Sequence, residues 1–331
     1  MILMGSLSAG VILGAMALAS SVEAKNAVII AAGDIARCGS LGHGKTAKII
    51  SKMAGTVLAL GDQAYEAGSL KEFRDCYEPT WGKFKDRTRP APGNHEYRTD
   101  AAGGYFSYWG KRTGLKGKGY YSFDLEQWHV VALNSNLQDS AMQEQNTWLA
   151  ADLERNKRRC ILAFWHHPLF SSSSHGDNPK MRDIAKTLFA KRASVILAGH
   201  DHVYERFYPQ SPTGKQYLKR GIRMFTVGTG GASLYSFKSS HPNSQVRYND
   251  RPGVLKLVLK PTSYKWEFIN TKGQIKEMRT AYEAWRVPAG EVSHPDFNLN
   301  PKFTECPLRV ISRRFSCLPK RSAFGGKAEV I

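Results

Sequence analysis

The residues best placed to do chemistry recur in one setting: a short apolar run, a glycine, then an oxygen or nitrogen donor. Gly199-His200-Asp201-His202 follows Val195-Ile196-Leu197-Ala198. Two histidines at i and i+2, just past a buried strand, can aim two imidazoles from one sharp turn, and neutral imidazole is a common metal ligand. Upstream, Gly33-Asp34 closes Ala27-Val28-Ile29-Ile30-Ala31-Ala32, and Gly61-Asp62-Gln63-Ala64-Tyr65 closes Thr56-Val57-Leu58-Ala59-Leu60. Arg89-Pro90-Ala91-Pro92 leads into Gly93-Asn94-His95-Glu96, and Cys160 to Trp165 runs into His166-His167-Pro168. Asp34, Asp62, Asn94, His166, His200 and His202 offer oxygen and nitrogen but no thiolate, a set suited to iron, manganese or zinc. They are too many for one tetrahedral zinc and suit two metals about 3.5–4 Å apart that share a carboxylate. Any one of them alone has a plainer reading, such as an Asp that caps a helix; the ordered recurrence is what argues for a site.

The elements that must position them read as α/β. Continuous apolar runs at 27–32, 56–60, 160–165 and 195–198 have the pattern of strands covered on both faces. Helices are predicted over 44–53, 70–77, 142–154 and 180–190, which separates the strands as crossover connections would. Residues 120–125 and 129–133 read as an antiparallel pair around Glu126-Gln127, and 254–259 with 264–269 as a closing hairpin. In open α/β sheets ligands gather at the carboxyl ends of strands, where each donor motif stands. Two carboxylates there would repel unless one holds a proton or cations lie between them. Gly228-Thr229-Gly230-Gly231 could bring backbone N–H groups to a phosphate, but a tight turn is the favoured reading. After about Gly273 periodicity fades, so 271–331 is expected to be an irregular basic tail behind a catalytic domain of 26–270.

Composition narrows the class. Of 331 residues 42% are hydrophobic and 23% charged, as in a soluble globular protein. Lys and Arg number 47 against 28 Asp and Glu, a formal net charge of +19, which favours anionic partners such as phosphate esters or nucleic acid. Residues 1–24 carry a short apolar core and small residues ahead of Ala24, and read as a secretory signal cleaved after Ala24; an uncleaved anchor is the alternative. The mature protein is then secreted or periplasmic, with no integral membrane segment. In that oxidising setting Cys306 and Cys317 are expected to pair, Cys38 and Cys76 are able to, and Cys160 is expected as a buried thiol.

Taken together, Gly33-Asp34, Gly61-Asp62-Gln63-Ala64-Tyr65, Gly93-Asn94-His95-Glu96, His166-His167-Pro168 and Gly199 to Arg206 resemble the motif series of calcineurin-like metallophosphoesterases. Within them the chain is most similar to the purple acid phosphatase branch and its bacterial relatives, over about 27–269. The resemblance implies a four-layer α/β/β/α sandwich of two mixed sheets flanked by helices. It implies that one metal takes Asp34, Asp62, Tyr65 and His202, and the other Asp62, Asn94, His166 and His200, with Asp62 bridging. His166 rather than His167 is the ligand by this match, because the family's ligand stands two residues before the proline; His167 is then a supporting or core residue. Ala36 stands where most of the superfamily has histidine. The purple branch lacks that histidine too and uses a tyrosine, here Tyr65, although it often has glycine at the position of Ala36. A Tyr65 phenolate would favour a ferric ion with a visible charge-transfer band, paired with zinc, manganese or a second iron; a Tyr65 that only packs would favour zinc or manganese.

The implied reaction is hydrolysis of a small phosphate monoester by a metal-bound hydroxide. His95 is the candidate general acid, and His175, nine residues after His166, the candidate substrate contact. The alternative keeps the site and makes the enzyme a diesterase for nucleotides or nucleic acid. A non-enzymatic polyanion-binding protein is a third reading, disfavoured because every ligand position is filled. No Gly-x-Ser-x-Gly element is present. Gly39, Gly44, Lys45 and Thr46 have phosphate-loop spacing but begin too far beyond Asp34 to leave the strand directly.

Overall fold

The structure, a computed structural model, describes residues 25–282 except 116 and 159. The proposed signal at 1–24, the pair Cys306 and Cys317, and the tail beyond 282 lie outside the described residues.

Six strands form one sheet, in spatial order β15 (Ile275–Tyr282), β14 (Ser263–Asn270), β13 (Gly253–Leu259), β1 (Ala27–Ala32), β3 (Thr56–Leu60) and β5 (Thr88–Ala91). Seven form a second: β12 (Ser244–Tyr248), β10 (Tyr204–Phe207), β11 (Arg223–Val227), β9 (Val195–Ala198), β8 (Cys160–Phe164), β7 (Trp128–Ala132) and β6 (Tyr121–Leu125). Both are mixed. β1, β3 and β5 run parallel while β13 is antiparallel to β1. β7, β8, β9 and β11 run parallel, with β6 and β10 antiparallel at their flanks. Pro90 is tolerated because β5 is an edge strand. A two-residue ribbon pairs β2 (Ala36–Arg37) with β4 (Ala64–Tyr65).

The period of two along each strand builds the layers. Trp128, Val130 and Ala132 of β7, with Cys160, Leu162 and Phe164 of β8, join the core that contains β1, β3 and β13. Their neighbours Val131, Leu133, Ile161, Ala163 and Trp165 face the other way, against Leu149 and Leu153 of α4 (Asp139–Arg155) and Ile184, Ala185 and Leu188 of α5 (Arg182–Ala190). Strands buried on both faces explain why these runs are apolar without alternation. α1 (Gly42–Ile50) adds Ala47 and Ile50 to the first core.

Several elements differ from the sequence expectation. The helix expected over 70–77 begins as α2 (Leu70–Glu72) and widens into a π-helical turn, Phe73–Tyr77. Its start is a capping box: Ser69 Oγ accepts the Glu72 N–H while the Glu72 carboxylate accepts the Ser69 N–H. Cys76 in that turn is joined to Cys38 by a disulfide. Cys160 is buried at the start of β8. A short helix, α3 (Gly103–Trp109), lies in a stretch for which no element was predicted. The expected irregular tail begins too early, since β15 continues the first sheet by pairing with β14. β15 is hard to see because Ile275 and Met278 are exposed while its buried residue is a carboxylate, Glu277. Glu277 accepts from Arg206 Nε at 2.7 Å and Tyr204 Oη at 2.6 Å, which ties β15 to β10 of the other sheet.

A second polar clip holds α4 to the outer face of the second sheet. His129 of β7 lies between Asp124 of β6 and Asp152 of α4, 2.8 Å from each. Burial lowers the basicity of His129, but hydrogen bonds to Asp152 and Asp124 outweigh it, so its pKa lies above the ordinary 6.5. The charged form therefore stabilises the fold fully below pH 6.5, and that contribution is lost as pH rises through the raised folded value. His129→Gln is expected to cost about 1–3 kcal/mol at pH 6. Denaturant titrations of both proteins should show the gap between them narrowing as the pH is raised; a pH-independent gap would contradict the charged clip.

Candidate metal centre

The predicted donors other than Tyr65 lie at the carboxyl ends of parallel strands, from both sheets, and Tyr65 ends the ribbon strand β4. Asp34 follows β1, Asp62 follows β3 and Asn94 follows β5; His166 follows β8, and His200 and His202 follow β9. The turns are sharp. Asp34, Asp62 and His200 have φ of 59°, 47° and 71°, a left-handed conformation that costs a side-chain-bearing residue energy and persists only where packing imposes it. The packing here is reciprocal. A methyl group at Gly93 would overlap Asp62 Oδ1, and one at Gly199 would lie 2.7 Å from Asp34 Oδ2. The glycine before one donor thus makes room for the donor of another motif.

The donors converge closely. Tyr65 Oη lies 3.0 Å from Asp34 Oδ1, 3.3 Å from Asp62 Oδ2 and 3.1 Å from His202 Nε2. His202 Nε2 is 3.2 Å from Asp34 Oδ1. His166 Nε2 is 3.0 Å from Asn94 Oδ1, 3.3 Å from Asp62 Oδ2 and 3.3 Å from His200 Nδ1. Asp34, Asp62 and His166 can offer one ligand atom each within 4.8 Å of one another. The tautomers are fixed from outside. His166 Nδ1 donates to the Leu60 carbonyl at 2.8 Å and His202 Nδ1 to the Ser233 carbonyl at 2.6 Å. Both Nε2 lone pairs therefore turn inward, as outer hydrogen bonds orient metal-binding histidines elsewhere.

This buried cluster has more acceptors than protons. Without a cation the deficit falls on the imidazoles and the phenol. Burial lowers His166, yet the Asp62 and Asp34 charges lift it to about 9. Burial, then Asp34 and Asp62, hold the Tyr65 phenol well above the usual tyrosine range, so binding as phenolate requires a cation that outweighs both carboxylates. Burial and His166 push His200 down to about 4. Oxygen and imidazole donors facing one another across a shared Asp62 fit one or more hard or borderline cations.

The two candidate catalytic histidines flank the cluster. The His95 N–H donates to Asp62 Oδ1 at 2.9 Å, and its Nδ1 donates to the Glu66 carbonyl at 2.6 Å. Its Nε2 is 3.7 Å from Asp62 Oδ2, and its ring lies 4.4 Å from the Tyr65 ring. His175 is partly exposed, its ring 4.2 Å from that of His200 and its Nδ1 3.0 Å from Asp201 Oδ1. His167 is adjacent as well, its ring 4.4 Å from His200 and its Nδ1 2.8 Å from Ser135 Oγ. Burial, then His166 and His200, depress its basicity to about 2.

Sequence reasoning missed several supports. Glu96 is buried and accepts backbone N–H groups of Asp62, Gln63 and Gly93 at 2.6–2.9 Å, clamping two donor turns together. Asp201 orients His175, and Glu205 holds the same loop through the Ser172 N–H and hydroxyl. Glu96 stands in the Gly93–Glu96 motif, and Asp201 and Glu205 in Gly199–Arg206, so proximity to the donors was their available signal. Tyr235 stacks on His202 at 3.9 Å from a loop without pattern, so nothing in sequence marked it. The glycine run 228–231 is a close-approach turn: Gly230 N–H donates to the Gly33 carbonyl at 2.8 Å and is not directed to a ligand. Thr46, of the phosphate-loop-like spacing, is buried with its hydroxyl on the Gly230 carbonyl.

The calcineurin-like phosphoesterase family model matches residues 15–204. That is more than half of the chain, which therefore belongs to this family. Purple acid phosphatase 21 of Arabidopsis thaliana is 29% identical over 188 residues, 48% of this chain and 41% of that protein. Purple acid phosphatase 23 of the same plant is 30% identical over 185 residues, 48% of this chain and 39% of that protein. The chain thus spans about two fifths of the length of these relatives. Among solved structures, purple acid phosphatase PPD1 from yellow lupin (Lupinus luteus) superposes with a TM-score of 0.66 at 19% identity, covering 78% of this chain and 54% of that one. PhoD superposes with a TM-score of 0.56 at 13% identity, covering 78% and 69%. These likenesses establish the four-layer fold.

Gly93→Ala places its methyl group on Asp62 Oδ1. The wild type is expected to gain several degrees of melting temperature when zinc or manganese is supplied, and the variant to lose most of that gain. An undiminished metal-dependent shift in the variant would show that the turn does not set the donor geometry.

Proposed function

We propose that this chain is an exported, metal-dependent phosphatase that hydrolyses small phosphate monoesters. The observation that carries the reading is the buried convergence of Asp34, Asp62, Tyr65, His166 and His202 with too few protons for their acceptors. Asp34, Asp62, Tyr65 and His202 would hold one ion, and Asp62, Asn94, His166 and His200 the other. When bound, such a pair acidifies water and neutralises phosphoryl oxygens. Iron with zinc, manganese or a second iron fits a site that contains a phenol among carboxylates and imidazoles.

The chain's own residues supply the rest. His95 is held by its backbone and by Nδ1, so the imidazolium form presents its Nε2–H to the departing alkoxide oxygen and is left as the neutral Nδ1–H ring when the P–O bond breaks. His175 is anchored through Nδ1 on Asp201, which leaves the Nε2–H of its protonated form for a phosphoryl oxygen. The disulfide Cys38–Cys76 supports an oxidising compartment, in keeping with the signal read at 1–24 and a secreted or periplasmic location. No helix among the described residues is long and apolar enough to cross a membrane.

The test is hydrolysis of an aryl phosphomonoester and the matching diester across pH, with iron, zinc or manganese supplied. Monoester preference is expected; diester preference would overturn the substrate class. Asp62→Asn should abolish turnover. His95→Ala should lower kcat by about a hundredfold to ten-thousandfold, and the loss should shrink for esters whose leaving group needs no proton. A His95→Ala enzyme as active as wild type on alkyl esters would remove the general-acid role.

A further inference from the structure

Beside the metal centre the fold assembles a cationic rim that the proposed chemistry does not use. The β2–β4 ribbon sets Arg37 opposite Tyr65 in register. The Arg37 guanidinium lies 5.6 Å from the centre of the Tyr65 ring and 2.8 Å from Glu66 Oε1. From the other side Arg98 Nη1 lies 3.9 Å from Glu66 Oε2 and donates to the Glu66 carbonyl at 3.2 Å. That carbonyl also receives His95 Nδ1. Arg37, Glu66 and Arg98 are about half exposed, at 47%, 53% and 52%. Two guanidiniums therefore share one carboxylate next to the candidate acid, with one positive charge in excess.

We propose that Arg37 and Arg98 form an anion subsite that takes a second negatively charged group of the phosphate ester, a carboxylate or a further phosphate. The inference rests on the phosphatase reading above. The guanidinium fork matches the geometry of carboxylate and phosphate oxygens and binds them in pairs. The resident partner, Glu66, is held by solvent-exposed ion pairs, which are weak, so an incoming anion exchanges with it at little cost. Glu66 is thereby a built-in competitor: it keeps the two arginines together while the subsite is empty and disfavours esters with no second charge to offer. Arg37 lies against the Tyr65 ring, whose hydroxyl is among the donors, so the second anion must stand apart from the phosphoryl group itself.

The test compares 3-phosphoglycerate with glycerol 3-phosphate, which share a carbon skeleton and differ in a carboxylate against a hydroxymethyl group. The readout is the ratio of their kcat/KM values, which does not depend on the fraction of enzyme that is folded or metal-loaded. Arg37→Gln and Arg98→Gln should each lower the ratio about fivefold, the scale of one exposed charge pair, chiefly through KM for 3-phosphoglycerate. Glu66→Gln should raise it. A ratio unchanged in both arginine variants, or lowered in Glu66→Gln, overturns the subsite while leaving the phosphatase reading intact. Failure of the metal-supplied wild type to turn over either ester or an aryl phosphate removes that reading, and this inference with it.

Discussion

The structure depends on an electrostatic debt at one seam. Asp34 and Asp62 are buried, and imidazole lone pairs and a phenol are aimed at them rather than away. Charges and lone pairs of this density are not tolerated in a protein interior unless something positive lies among them. Protons alone distort the ordinary behaviour of the groups: His166 is driven up to about 9 while its neighbour His200 is driven down to about 4. Cations at the same place would satisfy both carboxylates and leave the imidazoles neutral, the state in which they bind metal. The arrangement is therefore that of a candidate cation site.

Placing that debt requires both sheets to end at one point. Gly33 N–H donates to the Val227 carbonyl at 2.9 Å, and the Gly33 carbonyl receives Gly230 N–H. His166 of the second sheet donates to Leu60 of the first, and the His200 N–H donates to Asp34. These bonds cross the seam between the sheets at the level of the donors. The glycines that precede the donors are therefore contact surfaces as well as turns. A larger residue at Gly93 or Gly199 would push one donor with the side chain of another, so the geometry is shared among all the motifs. The polar supports act one layer further out, with Glu96 clamping the first sheet's turns and Asp201 and Glu205 holding the loop that carries His175.

Much of this was legible in the sequence, for a physical reason. Strands buried on both faces are written as unbroken apolar runs, and a donor straight after a glycine marks the turn where such a strand surfaces, so β1, β3, β8 and β9 and their donors could be read directly. β5 was hidden by Pro90, which an edge strand tolerates. β15 was hidden because the group it buries is Glu277, paired with Arg206 and Tyr204, and not an apolar side chain. α2 was read as a longer helix because the π-turn Phe73–Tyr77 continues the helical backbone directly from it. Residues that act by spatial contact alone, such as Tyr235 against His202 and Ser233 through its carbonyl, carry no sequence period and could not be found.

The most direct test of the account is the number of metal ions the purified protein holds, measured by elemental analysis against protein concentration after removal of loosely bound metal. Two ions per chain are predicted, falling below one in Asp62→Asn, the carboxylate that both positions share. A wild-type protein that holds none when iron, zinc and manganese are supplied, and whose melting temperature they leave unmoved, would contradict it.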